Sequence, residues 1–421
     1  MIHKIRRGTA AILVLALVTS LLCSCADTSR NGNDVTAIDD NTGIGTGTLT
    51  PDTGGNDTDP VTDPPAPEAV RISFLAAGDN IGHEAIFTDA RNRANENSME
   101  YNFLPMYNDI APLIGNADIS FINQETLMGG IELSGGKYYG YPYFNSPQDM
   151  GRTLVELGFD IVNIANNHML DWKAKGLEKT LDFWDTQPVT LIGGYRDRAD
   201  FENIRIYEEQ GVRIALLSFT EHTNFISLDS GSSLFIPYIN DNDLVELIKK
   251  AKGMADLVFV SMHWGDEDNF SPSSLQRRTA QLMADNGVDV VIGTHPHVLQ
   301  EIKWVPREDG GKMLLIYSLG NLLSTMLNGW NMVGAMASFT IVKEEGMAPY
   351  IENPLIIPTV THYSMNRDGL QVYLLENYSE ELAMLHGCRK NDSTFTFARA
   401  VKYVTDTIDQ DFLSDFFRTF N

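Results

Sequence analysis

Cysteine is nearly absent from this sequence, with three residues in 421. Cys23 and Cys25 lie near the start, and Cys388 lies near the end. If processing removes the residues before Cys25 and that cysteine is modified, Cys388 is the only free thiol left. An internal disulfide is then excluded, so a hydrophobic core alone must hold the fold together.

Positive charge is also scarce. The chain has 31 lysines and arginines against 56 aspartates and glutamates, which gives a net charge of −25. Beyond the first few residues there is no basic stripe or cluster. Binding to a phosphate backbone depends on such patches, so the composition argues against nucleic acid as a partner. The acidity suits an exported protein but does not identify a substrate.

A long apolar run is missing as well. Ala10–Leu22 follows Lys4, Arg6 and Arg7 and is shorter than the roughly 20 residues of a membrane span. This pattern predicts an export signal over residues 1–25. The run ends in LCSC, which resembles a bacterial lipobox and predicts lipidation of Cys25, hence a lipid anchor on the extracytoplasmic face of the cell membrane. The alternative is an ordinary secretory signal with incidental cysteines.

The rest of the chain divides by composition. Residues 26–69 are rich in Asp, Thr, Gly, Asn and Pro and have few large apolar side chains, which predicts a disordered linker. Residues 70–345 are predicted to form one α/β domain. Residues 346–421 are predicted to be a C-terminal extension packed on that domain, with strand character from Pro349 to Val360 and helices over Ser379–His386 and Ala398–Phe417.

Apolar runs of strand length alternate with amphipathic stretches, which predicts a mostly parallel sheet. The predicted strands are Ile72–Ala77, Ile119–Ile122, Ile161–Ala165, Ile214–Phe219, Leu257–Met262, Val288–Ile292 and Met313–Leu319. The predicted helices are Pro147–Leu157, Lys173–Trp184, Asp243–Ala255 and Pro272–Asn286. For the last helix we expect Ser271 as the N-cap and Gly287 beyond the C-terminus.

Polar side chains follow six of these strands at the point where each strand ends. They fall in the segments Gly78–His83, Asn123–Glu125, Asn166–Asp171, His263–Glu267, Gly293–His297 and Gly320–Asn321. Parallel strands present their carboxyl ends at one edge of a sheet, where ligands bind in open α/β folds. Any single histidine here is more often structural. Imidazoles and carboxylates at six strand ends together predict a pocket that can hold a metal ion.

The segments GDNIGH, NQET, ANNHMLDWKAKGL, HWGDE, GTHPHVLQ and YSLGN resemble the signature segments of the CapA family, the bacterial capsule and poly-γ-glutamate synthesis proteins also called PgsA. The resemblance covers about Ile72 to Ser324. That family is related to the calcineurin-like metallophosphoesterases. The relationship implies a four-layer sandwich of two mixed β-sheets flanked by helices.

The resemblance also implies a ligand set for one or two divalent ions, with Mn, Zn and Fe left open. Asp79, Glu125 and His297, with His83 as an optional fourth ligand, correspond to the first ion. Glu125, Asn167, His263 and His295 correspond to the second. His168 stands at the position of the general acid, and Asp171 is placed to orient it.

Further residues beside these ligands are predicted substrate contacts: Asn80, His83, Asn166, Trp264, Glu267 and Asn321. For Trp264 the alternative is a packed aromatic under the site. Glu221, His222 and Asn224 follow another strand, and they are either pocket residues or a polar connecting loop.

Three functions remain open. The first is a membrane-anchored, metal-dependent hydrolase or transferase that acts on an anionic cell-envelope polymer, its precursor or a phosphoester. The second is a non-catalytic accessory protein that binds the polymer or the capsule or poly-γ-glutamate synthase complex. The third, a solute-binding lipoprotein, leaves the polar strand ends unexplained.

Overall fold

The computed structural model describes residues 68–94 and 100–420. The predicted signal, the lipidation site Cys25 and almost all of the predicted linker lie outside these residues. No helix in the described part of the chain is long and apolar enough to cross a membrane.

Within residues 68–94 and 100–420, fourteen strands form two mixed sheets. The strands are β1 Val70–Asn80, β2 Ile119–Gln124, β3 Ile161–Asn163, β4 Thr190–Ile192, β5 Arg205–Glu209, β6 Val212–Thr220, β7 Leu257–His263, β8 Val290–Thr294, β9 Ile302–Pro306, β10 Lys312–Ile316, β11 Asn321–Leu323, β12 Val333–Lys343, β13 Tyr350–His362 and β14 Gln371–Leu374. The first sheet has the order β14-β13-β12-β1-β2-β3-β4, with β11 also paired to β1. The second has the order β5-β6-β7-β8-β10-β9.

Ten α-helices connect or flank these strands in the described residues. They are α1 Glu84–Arg93, α2 Ala111–Asn116, α3 Gln148–Leu157, α4 Lys173–Trp184, α5 Arg198–Glu202, α6 Asp241–Lys252, α7 Ser274–Asp285, α8 Glu380–Leu385, α9 Phe397–Thr405 and α10 Asp415–Arg418. Beyond residue 345 the chain adds two strands to the first sheet, with β13 beside β12 and β14 at the edge.

The two sheets pack face to face. Successive side chains of a strand point to opposite faces of its sheet, so one set faces the other sheet and the next set faces outward. In β7, Leu257 and Phe259 belong to the core between the sheets, whereas Val258 and Val260 pack on the outer side with α6 and α7. Phe259 meets Phe74 of β1 across the sheet interface at a ring-centroid distance of 5.3 Å. Helices α1 to α4 pack their apolar side chains against the strands of the first sheet. The predicted four-layer sandwich is confirmed.

Helix α7 starts later than expected. Its N-cap is Ser273 rather than Ser271: the Ser273 hydroxyl accepts from the Gln276 backbone N–H, and the Gln276 side chain accepts from the Ser273 N–H. This reciprocal capping box satisfies two backbone donors at once, which Ser271 cannot do.

The helix predicted over residues 398–417 is interrupted. Helix α9 ends at Thr405 and α10 begins only at Asp415. Between them Leu413 pairs with Ile356 of β13 as an isolated bridge, so the chain there follows the sheet and cannot stay helical.

Candidate metal centre

Five polar side chains predicted as metal ligands come together where the carboxyl ends of the two sheets meet. Asp79 comes from β1, Glu125 directly follows β2, and His263 ends β7. His295 and His297 follow β8. All five are at most 4% exposed, so their polar atoms must find partners within the protein or in a bound ion.

Backbone packing fixes Asp79. A Cβ added to Gly78 would lie 2.1 Å from the carbonyl oxygen of Gly320, so only glycine permits this close approach. The Asp79 N–H donates to the same carbonyl at 2.9 Å. Its carboxylate accepts from the Asn123 side chain at 2.7 Å and from the His295 backbone N–H at 3.2 Å. One carboxylate thus joins the ends of the two sheets.

The turn that carries His295 and His297 is strained. Their φ angles are 99° and 56°, in the left-handed region that residues with a side chain rarely adopt. Such residues cost on the order of 1–3 kcal/mol each and cluster at functional sites. The turn directs both rings into the centre. Nδ1 of His297 lies 3.0 Å from Oδ1 of Asn321, which leaves Nε2 on the side of Glu125, 3.6 Å away.

His263 has more close polar neighbours than it can hydrogen-bond with at once. Its Nδ1 lies 3.0 Å from the Thr294 hydroxyl. Its Nε2 lies 3.0 Å from Oδ1 of Asn167 and 3.1 Å from Nδ1 of His295. One nitrogen carries at most one proton, so these close contacts cannot all be ordinary hydrogen bonds. A bound cation would be coordinated by the lone pairs of these neighbouring atoms.

Glu125 lacks hydrogen-bond donors in the described part of the chain. Neither of its carboxylate oxygens accepts a hydrogen bond from the residues that the structure describes, although both are buried. Ligand atoms of Glu125, His295 and His297 all lie within 4.8 Å of one another. A buried carboxylate with no donor and two adjacent imidazoles form a mixed N/O donor set that suits a divalent transition metal. The side chains therefore fit the predicted cofactor.

The pKa shifts differ among the candidate ligands of the metal-free protein. Burial raises the pKa of Glu125 well above its usual value, and the charge of His297 offsets this only in part. Burial, together with neighbouring imidazoles, lowers the pKa of His263 and of His295 well below 6.5, so both rings are neutral and can act as ligands. Burial alone would lower the pKa of His297, but the carboxylates of Glu125 and Asp79 outweigh it and raise the value to about 10.

His168 and Asp171 form a dyad next to this centre. Nδ1 of His168 lies 2.8 Å from Oδ2 of Asp171, which also accepts from the Phe144 N–H at 2.8 Å. The ring packs edge-on against Phe144, with centroids 4.6 Å apart. Among the described residues Nε2 of His168 has no hydrogen-bond partner, and the ring lines the adjoining cavity. The dyad thus presents one free nitrogen to that cavity.

The loop after β6 also reaches the site. Asn224 accepts from the Asn167 side chain at 3.3 Å, and its own amide lies 3.4 Å from Nδ1 of His168. The His222 ring packs edge-on against His295, with centroids 5.1 Å apart. Of the two alternatives for this loop, the structure thus favours pocket residues for His222 and Asn224. Asn123 and Thr294, which orient Asp79 and His263, were not singled out from the sequence, although each lies at a strand end.

The residues predicted to contact substrate separate into two groups. His83 and Glu267 line a cavity of about 410 Å³ together with Glu125, His168 and His297. Nδ1 of His83 accepts from the Thr325 N–H at 3.2 Å. His83 belongs to the wall of this cavity rather than to the cluster of Glu125, His295 and His297.

The other four, Asn80, Asn166, Trp264 and Asn321, are buried and bonded within the protein. Asn80 binds Gln124 and Tyr107 at 2.6 and 2.7 Å. Asn166 donates to the Gln124 carbonyl at 3.1 Å, and Trp264 donates to the Tyr317 carbonyl at 3.0 Å from within the outer core. Asn321 orients His297. The geometry of these four side chains therefore favours a role in holding neighbouring residues in place over contact with substrate.

A family model described as "Bacterial capsule synthesis protein PGA_cap" matches residues 73–326, which agrees with the range of the signature segments. The chain is 33% identical over 192 residues to the capsule biosynthesis protein CapA of Bacillus anthracis, covering 45% of each chain. It is 29% identical over 223 residues to the PGA biosynthesis protein CapA of Bacillus subtilis strain 168, covering 52% of this chain and 57% of that protein. The matches thus span about half the length of these relatives.

Two solved structures with similar folds are nucleotidases. One is the NAD nucleotidase NadN of Haemophilus influenzae, with a TM-score of 0.41 and 12% identity over 84% of this chain and 59% of that chain. The other is a 5'-nucleotidase precursor from Thermus thermophilus, with a TM-score of 0.38 and 11% identity over 69% of this chain and 55% of that chain.

Proposed function

Because this chain belongs to the bacterial capsule synthesis family PGA_cap, we propose that it is a metal-dependent hydrolase or transferase of capsule or poly-γ-glutamate synthesis. Its substrate is an anionic cell-envelope polymer, a precursor of that polymer or a phosphoester. The observation that carries the proposal is the buried cluster of Glu125, His295 and His297 beside the His168–Asp171 dyad.

Asp79, Glu125, His263, His295 and His297 would hold one or two divalent ions, with Asn167 as a further oxygen donor. When bound, such an ion supplies Lewis-acid polarisation of a phosphoryl or acyl oxygen and a lowered pKa for a coordinated water. The strained turn and the bonds from Asn321 and Thr294 hold the imidazoles in place before any substrate arrives.

His168 acts as the general acid. The Asp171 carboxylate accepts a hydrogen bond from the Nδ1–H group and stabilises the charged ring, so that Nε2 can release its proton to the leaving oxygen in the cavity. Phe144 supports this geometry twice, because its N–H holds Asp171 and its ring packs against His168.

The experiment measures bound metal and turnover on the purified full-length protein, with a phosphodiester and a γ-glutamyl amide as substrates. We expect His263→Ala to lower both bound metal and turnover. We expect His168→Ala to keep the metal and to lower turnover by about 10²- to 10⁴-fold, the usual contribution of general acid catalysis.

If the protein binds metal but neither variant changes turnover on any substrate, the catalytic proposal is wrong. The accessory role, in which the centre only helps to bind polymer or the synthase complex, then replaces it.

We also propose that the protein lies on the outer face of the cell membrane, held by a lipid on Cys25. This location is supported by the apolar run and the LCSC motif that precede the linker. We expect Cys25→Ser to move the protein from the membrane to the soluble fraction and to abolish incorporation of labelled fatty acid. A variant that remains lipidated at another residue would contradict this assignment.

A further inference from the structure

The cavity next to the metal centre is also lined by a charged residue from a distant part of the sequence. Arg367, in the turn between β13 and β14, lines it together with Glu125, His168 and His297. Apolar side chains form part of the lining, namely Ile81, Phe144, Met326, Leu327 and the ring of Tyr141. The remaining lining residues are polar, namely His83, Glu267, Thr325, Asn328 and Asn331. A single space therefore contains a cation-binding end, an apolar surface and an arginine.

Arg367 is the only lysine or arginine among the described residues that line this cavity. Within the described part of the chain its guanidinium makes no hydrogen bond and no ion pair, and the residue is exposed. Arg93, which reaches the same hairpin, is fully engaged: it pairs with Asp89 at 2.7 Å and donates to the Leu370 carbonyl at 2.8 Å. The guanidinium of Arg367 is thus available to a ligand.

The backbone that carries Arg367 is held firmly. The Arg367 N–H donates to the Ser364 carbonyl at 2.9 Å, and the Ser364 N–H donates to the Asp368 carbonyl at 2.8 Å. The Asp89 carboxylate of α1 accepts from the N–H groups of Gly369 and Leu370 at 3.1 and 3.0 Å. Arg367 itself has a φ of 61°, a left-handed conformation that this turn imposes. These hydrogen bonds hold the hairpin against α1, the helix that follows β1 and its ligand Asp79.

The charge of Arg367 reaches the cavity interior. Burial is the main reason why the pKa of His83 falls to about 3, and the positive charges of His297, His168 and Arg367 add to it. The chain as a whole carries a net charge of −25, so an anionic ligand needs a local cation to approach. Arg367 also lies outside residues 73–326, so the family match does not account for it.

We propose that Arg367 binds a second oxyanion of the substrate, one that is separated by a short apolar spacer from the group held at the metal centre. The substrate class is thus a molecule or polymer unit with two acidic groups, and the planar guanidinium suits either a carboxylate or a phosphate through two parallel hydrogen bonds. The inference rests on the proposed function only in placing the first group at the cation.

The test measures binding by isothermal titration calorimetry to the full-length, Mn²⁺-loaded protein. The first probes are the straight-chain dicarboxylates from succinate to suberate, each compared with the monocarboxylate of the same length. A second series uses phosphonocarboxylates, in which a phosphonate replaces one carboxylate and stands in for a phosphate. The variants are Arg367→Gln, the charge-preserving Arg367→Lys, and Lys249→Gln as a matched loss of one exposed positive charge on α6.

We expect the best two-acid probe to bind about 10- to 100-fold more tightly than its one-acid partner, the usual contribution of a charge-assisted hydrogen-bonded pair. Arg367→Gln should remove that preference and leave the one-acid probe unchanged. Arg367→Lys should restore part of it, and Lys249→Gln should keep all of it. Whether the carboxylate or the phosphonate arm shows the larger preference identifies the second group.

An unchanged preference in Arg367→Gln overturns the inference, and so does the absence of any preference in the wild-type protein. If Arg367→Gln does not fold, Arg367→Met replaces it, and an unchanged preference in that variant overturns the inference equally. Failure of the proposed function looks different: the protein then binds Mn²⁺ without turnover, while the Arg367-dependent preference can still be measured. A protein that binds no Mn²⁺ overturns both the proposed function and the inference.

Discussion

Two buried histidine clusters in this protein differ in how their polar atoms are satisfied. In the metal-centre cluster, defined by Glu125, His263, His295 and His297, imidazole nitrogens face each other and both Glu125 oxygens lack donors. In the C-terminal cluster, defined by His362, Tyr363, Tyr378 and His386, the rings are just as close, with the two histidine centroids 4.9 Å apart.

The C-terminal cluster has no such deficit. His386 donates from Nε2 to the Thr361 carbonyl at 2.9 Å and accepts at Nδ1 from the Cys388 N–H at 3.0 Å. Nδ1 of His362 lies 2.7 Å from the Tyr378 hydroxyl. Buried histidines alone therefore do not mark a binding site. A surplus of buried lone pairs with too few donors does, because a bound group must then satisfy them, and a carboxylate beside several imidazoles suits a divalent cation.

The largest expected difference between the clusters concerns metal affinity. Glu125→Gln should weaken Mn²⁺ or Zn²⁺ binding by at least about 100-fold, because even residues that only support metal ligands are worth about 10- to 100-fold. The measurement is a metal titration with a competing chelator. The control is His386→Gln in the C-terminal cluster, which should leave the affinity unchanged; equal losses in both variants would show that the two clusters do not differ in metal binding.

An intermediate effect is expected on stability. His386→Phe should lower the free energy of unfolding by about 1–3 kcal/mol, because it leaves the Thr361 carbonyl and the Cys388 N–H buried without partners. Denaturant unfolding measures this. Metal content should not change, and a variant that loses metal would show that the two clusters are coupled.

The smallest effect is a pH dependence. Burial lowers the pKa of His362 to about 4, whereas an unfolded histidine titrates near 6.5. Between these values the unfolded chain takes up a proton that the folded chain does not. Stability is therefore complete above pH 6.5 and is lost as the pH falls toward 4.

His362→Phe should reduce this slope by up to about 1.4 kcal/mol per pH unit, the value for one proton. Unfolding measured at several pH values on metal-free protein tests this, with wild type as the reference. An unchanged slope would mean that His362 already holds its proton in the folded state.

Much of this architecture could be predicted from local pattern. The strands that lead to Asp79, Glu125, His263 and His295 follow from short apolar runs that end in polar residues, and the structure places them within a few residues of the predicted bounds. The start of α7 was missed because two serines compete for the cap, and the partner Gln276 decides between them.

Which polar side chains stay free of bonds within the protein was harder to predict. Asn80 and Asn166 occur at strand ends just as ligands do, yet their amides are occupied by Gln124, which no local pattern reveals. Arg367 was missed for the opposite reason. It lies in a surface turn outside every signature segment, and only the packing of that hairpin against α1 brings it to the cavity.

The sequence by itself determined the main strands that lead to the centre and the polar residues that end six of them, because period and chain breaks are local properties. Tertiary structure alone decided which of these residues share one centre. The bond between Asp79 and the His295 backbone joins positions 216 residues apart. Such contacts depend on how two sheets pack and on which polar atoms are already satisfied, and neither can be read along the chain.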